Sequence, residues 1–121
     1  MASELTAQAK IKFTPDSDLK NEGFETDAIA FTRTLTGTDS QAYNTQVIGT
    51  TEETLSLGSD LTTPFVCIKN LDDSNFVEVG LTGSYPMKVL AGEFACFRTN
   101  GTIYAKADTA DVTVQFWAVE L

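Results

Sequence analysis

Apolar and polar residues alternate along most of this chain, and the alternation is densest from Phe65 to Leu121. There the sequence runs FVCIKNL, FVEVGL, PMKVL, EFACFRT, TIYAKA and VTVQFWAVEL, each segment set off by a short polar or glycine-containing turn. A two-residue period sends successive side chains to opposite faces of a strand, so these runs predict β-strands with one face against a core. In the last run Val112, Val114, Phe116 and Ala118 share one face, and Thr113, Gln115, Trp117 and Val119 share the other. The second face turns apolar near its end, which predicts cover on both sides there.

The N-terminal half is patterned more loosely. From Ala7 to Thr14, Ala9, Ile11 and Phe13 alternate against Lys10 and Lys12, the signature of a half-buried strand. Pro15 to Glu25 reads as a loop with Leu19 and Phe24 as its apolar anchors. Asp27 to Thr36 is a second strand with Ile29, Phe31 and Leu35 in phase and Arg33 interrupting them. After the turn cluster Gly37–Ala42, two short strands are expected, one carrying Tyr43, Thr45 and Val47 and the other Leu55 and Leu57. Gly58 to Pro64 is the longer connection between the halves, with Pro64 at a strand start where no ladder donor is needed.

Turn chemistry sharpens the C-terminal half. Asp72-Asp73-Ser74-Asn75 predicts a hairpin between the flanking strands, because short polar side chains bond the local backbone. Thr82–Pro86 and Ala91-Gly92 predict further reversals. Asn100-Gly101 predicts a type I′ turn, which needs positive φ at both central residues. Together the segments predict an all-β fold of about eight to ten short antiparallel strands, a β-sandwich of jelly-roll type. No internal repeat of roughly 20–50 residues is visible, which argues against a propeller or solenoid. Residues 1–14 read as an N-terminal arm or first strand, and residues 15–121 as a single β-sandwich domain.

Composition agrees with one domain. The chain has 121 residues, enough for a single core. Its 17 acidic and 8 basic residues leave a formal charge of -9, which argues against a nucleic-acid backbone or an anionic membrane as partner. The polar start MASELTAQ and the lack of any apolar run near the roughly 18 residues of a membrane span predict a protein made in the cytoplasm without a secretion signal. In that reducing compartment Cys67 and Cys96, both among apolar strand residues, are expected as buried thiols in preference to a disulfide.

The absence of histidine removes the usual general base and the commonest metal ligand, so Ser-His-Asp, Cys-His, zinc-hydrolase and cupin-type sites are excluded. Two carboxylates could act alone, but Glu52 with Glu53 and Asp72 with Asp73 lie in turns, where solvated acids are the ordinary occupants. Asp72, Asp73, Ser74 and Asn75, with Asp108 or Asp111, offer oxygen ligands for calcium but lack the roughly 12-residue loop pattern. Gly80, Gly83 and Gly92 punctuate strands and form no phosphate loop. Trp117, Tyr85, Tyr104 and Phe76 suit either a sugar-stacking platform or core and subunit packing, and packing is preferred. With Ile11, Phe13 and Val119 they make up the candidate interface residues. No catalytic residue, cofactor or metal is expected.

The phrases FVCIKNLDDSNFVEVGL, VLAGEFACFR and YAKADTADVTVQFWAVEL resemble the C-terminal region of small virion proteins of tailed bacteriophages. Residues 65–121 carry the resemblance, and Met1 to Pro64 carries none of it. It implies a non-enzymatic structural component of a phage particle: a decoration or cement protein on the head, or a neck or tail accessory. It further implies a homotrimer or other symmetric homo-oligomer that meets the major capsid or other virion proteins through its loops and the arm Met1–Lys10. A carbohydrate-binding module is the alternative from a different class.

Overall fold

The computed structural model describes residues 4–15, 23–34, 41–57 and 61–120, and throughout them the chain is β-strand, turn or loop. Contacts divide it into two compact units, residues 1–36 and residues 37–121. The first holds β1 (Glu4–Ala9), β2 (Lys12–Phe13), β3 (Phe24–Glu25) and β4 (Ile29–Thr34). The second holds β5 (Gln41–Ile48), β6 (Glu53–Thr54), β7 (Phe65–Asn70), β8 (Val77–Leu81), β9 (Ser84–Val89), β10 (Phe94–Arg98), β11 (Tyr104–Ala107) and β12 (Val112–Val119). The strand expected over 27–36 is therefore present as β4, grouped with β1 and not with the sandwich. The expected features at residues 16–22, 35–40 and 58–60 lie outside the described residues.

The second unit is a single long hairpin rolled on itself. Antiparallel pairing joins β8 to β9, β7 to β10, β6 to β11 and β5 to β12, each pair nested outside the last. Rolling then brings β7 against β12 and β8 against β11. The result is two four-stranded sheets, β10-β7-β12-β5 and β6-β11-β8-β9. This nested order is the jelly roll that the strand count and spacing predicted.

The core lies between the sheets and is built by alternate residues. Val112, Val114, Phe116 and Ala118 of β12 all point inward, as their alternation predicted, and meet Val66 and Ile68 of β7 and Val77 and Val79 of β8. Ala105 and Ala107 keep β11 close to its neighbours. Each buried Val, Ile or Phe contributes about 1.5–3 kcal/mol relative to exposure, so this one cluster supplies most of the driving force. Tyr43, Thr45 and Val47 share a phase as expected, but it is the outer one; in β5 Ile48 is buried in the core and Ala42 packs against it.

The topology corrects two turn assignments. Asp72–Asn75 joins β7 to β8, which lie in different sheets, so it is an arch across the sandwich and not a hairpin. Its local bonding still follows the residue types: the Asp72 carboxylate accepts from the N–H groups of Ser74 (3.0 Å) and Asn75 (2.6 Å). Asn100-Gly101 likewise arches from β10 to β11, and neither residue has positive φ, so it is no type I′ turn. Thr99 shapes it instead, its hydroxyl accepting from the Gly101 N–H (3.1 Å) and donating to the Gly101 carbonyl (2.6 Å). The tight hairpin is β8–β9, where Gly83 has φ +73°. Beside it, a Cβ on Gly80 would overlap the Ser84 carbonyl oxygen and Pro86, so the closely packed bulge there needs glycine.

The first unit is a two-stranded ribbon. β1 pairs with β4 from Glu4↔Thr34 to Ala9↔Ile29, and β2 pairs with β3. Between the two ladders the Thr26 N–H donates to the Ile11 carbonyl (2.9 Å), while the Thr26 hydroxyl accepts from the Ile11 N–H (3.0 Å). The pairing puts Leu5, Ala7, Ala9, Ile29, Phe31 and Arg33 on one face and Glu4, Thr6, Gln8, Ala30, Thr32 and Thr34 on the other. The half-buried strand expected here is not found: Ile11, Phe13 and every residue of β4 are exposed. Among the described residues each ladder of this ribbon is two strands wide, too few to bury an apolar face by themselves.

Candidate functional site

The outward face of the sheet β10-β7-β12-β5 carries a concentration of aromatic and apolar side chains. Register places Cys96, Cys67, Trp117 and Tyr43 in one row across all four strands. The rows beside it run Phe94, Lys69, Gln115, Thr45 and Arg98, Phe65, Val119, Gln41. Tyr43 is 66% exposed and Trp117 39%, their rings tilted at 43° with centroids 5.7 Å apart. The Gln115 side-chain amide donates to the Tyr43 hydroxyl (3.0 Å), which fixes that ring. Lys69 and Arg98 are the charged strand residues in these rows, and no carboxylate stands among them.

Cys67 and Cys96 form a disulfide, with Cα atoms 4.1 Å apart. The expectation of buried thiols is thus overturned, for a geometric reason. Val66, Ile68 and Asn70 take the core face of β7, so Cys67 points outward, and register sets Cys96 directly opposite it. The bridge closes one end of the aromatic row.

The other sheet presents a polar exterior. Lys106, Glu78 and Lys88 alternate in charge across β11, β8 and β9, and the Lys88 ammonium lies 4.0 Å from the centre of the Phe76 ring. Tyr104 stands in the next row, opposite Gly80 and Thr54. Tyr85 donates its hydroxyl to Glu52. The expected interface residues therefore fall in three places: Ile11 and Phe13 on the ribbon; Phe76, Tyr85 and Tyr104 on the charged sheet; Trp117 and Val119 on the aromatic one. Tyr43, Val47 and Phe94 join Trp117 although the sequence reading passed over them. The signal was present in the outer phase of β5, but alternation cannot say which phase faces the core.

The acidic pairs tie loops together. Glu52 accepts from the Gly83 N–H (2.7 Å) and the Thr82 hydroxyl (2.8 Å) as well as from Tyr85, joining the β5–β6 connection to the β8–β9 hairpin. Glu53 accepts from the Gly49 N–H (2.9 Å) and the Gln46 amide (3.0 Å). Among the described residues no group of three or more His, Cys, Asp or Glu could hold a metal ion. A cleft of about 500 Å³ at one end of the sandwich is lined by Leu55, Leu57, Leu61, Pro64 and Ile103 with threonines and the Asn100-Gly101 arch, and none of its lining residues titrates.

The Tyr85 hydroxyl, then the Gly83 N–H and Thr82, hold the Glu52 carboxyl below its ordinary range, and the same bond raises the Tyr85 phenol. A depressed acid contributes stability that is full above its unfolded pKa and is lost as pH falls through the lowered folded value. A raised phenol contributes stability that is full below the ordinary tyrosine value and is lost as pH rises through the folded one. Thermal melts between about pH 5 and pH 3 should therefore show the wild type losing more stability on acidification than Glu52→Gln. An equal pH slope in the two proteins would remove Glu52 from the acid response. Asp72, lowered by the Asn75 and Ser74 N–H groups, accounts for part of the remaining slope.

No known protein family, curated protein or solved structure matches this chain.

Proposed function

We propose that this chain is a non-enzymatic structural subunit of a bacteriophage particle, a decoration protein that binds the assembled head and stabilises it. The phage assignment rests on the resemblance of residues 65–121, and the binding role on uncovered apolar surface. The observation that carries it is the ribbon: Phe24 is 57% and Ile29 58% exposed, with Ile11 and Phe13 also exposed, on ladders that among the described residues are two strands wide. Such a face is stable in water when another surface covers it. The ribbon takes hold of neighbouring capsid subunits, and the jelly roll is the rigid body it anchors.

Co-sedimentation with purified particles of the phage that encodes it tests this reading. The full-length wild type should pellet with heads. Phe13→Ser combined with Phe24→Ser, which removes a ring pair with centroids 5.8 Å apart, should weaken binding by at least roughly tenfold. A wild type that stays in the supernatant sinks the proposal.

One observation favours a second reading. The exposed Tyr43–Trp117 pair, with Gln115 and Lys69 in the adjacent row, offers stacking faces with polar groups at their rims, as a carbohydrate-binding surface does. Trp117 is the sole tryptophan, so a glycan bound there would shift the intrinsic fluorescence, and Tyr43→Ala would abolish the shift.

A further inference from the structure

Each sheet of a sandwich ends in strands whose outer backbone groups lack a partner, and proteins ordinarily guard such edges with charge, proline or brevity. Three of the four edges here are guarded. β6 has 2 residues, β9 carries Pro86 and Lys88, and β10 has 5 residues ending in Arg98. β5 is different. It is 8 residues long, QAYNTQVI, without a charged residue or a proline, and it pairs with β12 along its whole length without a bulge. Among the described residues nothing pairs with its other side.

The direction of that free side is known. The Thr45 N–H donates to the Asn44 side-chain oxygen (2.8 Å), so it points away from β12 and toward the open edge. Backbone groups alternate in direction along an antiparallel strand, so Tyr43 and Val47 also present theirs outward. A second β5 can meet these groups about a two-fold axis through Thr45. In that register Thr45 faces Thr45 of the second copy, Tyr43 faces Val47 of the second copy, and Asn44 faces Gln46 of the second copy. These are a hydroxyl pair and an aromatic–β-branched pair at each side of it, favourable cross-strand combinations, while the Gln46 amide stays bonded to Glu53, Thr54 and Ser56 of its own chain. No like charges are brought opposite each other within the strand.

We propose that two copies of this chain associate through antiparallel β5–β5 pairing about Thr45, joining their sheets into one continuous eight-stranded sheet. The Asn44 carboxamide caps Thr45 in the free chain and swings aside on pairing. The joined sheet doubles the Tyr43–Trp117 surface, with the two aromatic pairs on one side of it and flanking the axis. The inference deepens the reading of the chain as an assembly subunit and names a second copy as one of its partners.

Sedimentation equilibrium from low micromolar to near-millimolar concentration tests it on the full chain. The wild type should pass from monomer to dimer, whereas Thr45→Pro, which deletes the outward N–H, and Thr45→Lys, which places like charges on the axis, should remain monomeric. Thr45 is exposed and its N–H makes no bond to β12, so both variants should keep the wild-type circular dichroism; if proline disturbs the strand, lysine still decides. A nitroxide attached at Thr45→Cys should show dipolar broadening at high concentration. A wild type that is monomeric throughout, a dimer that survives both substitutions, or an unbroadened nitroxide overturns edge pairing. Undiminished co-sedimentation with particles in such a case would leave the decoration role standing, so the two failures are distinguishable.

Discussion

Asn70→Leu should lower the free energy of unfolding by about 2–4 kcal/mol, measured by chemical denaturation. Asn70 is fully buried at the end of β7, where a polar side chain is costly unless satisfied. It is satisfied on both sides of its amide. The Nδ2 group donates to the carbonyls of Asn75 (2.9 Å) and Val89 (3.1 Å), and Oδ1 accepts from the Asp72 N–H (2.8 Å). Its backbone also exchanges bonds with Glu93 and Gly92, so one residue holds the β7–β8 arch to the β9–β10 arch. Leucine keeps the branching but is bulkier, and it removes the partners that the Asn75 and Val89 carbonyls and the Asp72 N–H have in Asn70. Asn70→Asp should be at least as damaging, since it removes the donor and buries a charge. A loss below about 1 kcal/mol for both variants would mean that the arches are held by other contacts.

Removing the disulfide should cost a similar amount. Cys67 and Cys96 are separated by 29 residues, and cross-linking a loop of that length restricts the unfolded chain by about 2–4 kcal/mol. Cys67→Ala with Cys96→Ala, or reduction of the wild type, should lower the melting temperature by roughly 10 °C in either case. Because β7 and β10 are paired regardless, the reduced protein should retain its far-ultraviolet spectrum at low temperature. Trp117, in register with Cys67, should report the change by fluorescence. A reduced protein that melts with the oxidised one would show that the bridge closes no loop the fold does not already close.

The class of fold was legible because alternation is a local property. Val112, Val114, Phe116 and Ala118 announce a strand face regardless of what they pack against, and the spacing of turns announces short strands. The destinations of those turns were not legible. Asp72–Asn75 and Asn100-Gly101 carry residues that suit hairpins, yet both lead into the opposite sheet, since the rolled topology sends nearly every consecutive strand across the sandwich. The thiol expectation failed for the same reason: Cys67 and Cys96 meet through a pairing between distant segments. Of the candidate site, Trp117 and Val119 were visible as surplus apolar residues at the end of β12. Their partners Tyr43 and Phe94 were not, because a strand's pattern shows two faces without naming the inner one.

The position of β12 bears on how the molecule comes to be folded. The last strand of the sandwich in chain order is not an edge but an interior strand, bonded to β5 on one side and β7 on the other. Until it emerges from the ribosome, β5 has no neighbour in its sheet and the core lacks Val112, Val114, Phe116 and Ala118. The nascent chain must therefore wait with its hydrophobic strands unpaired, and its closing step joins residues far apart in sequence, the kind of contact that slows folding most. Synthesis of β12, and not of any earlier strand, sets when the sandwich can form.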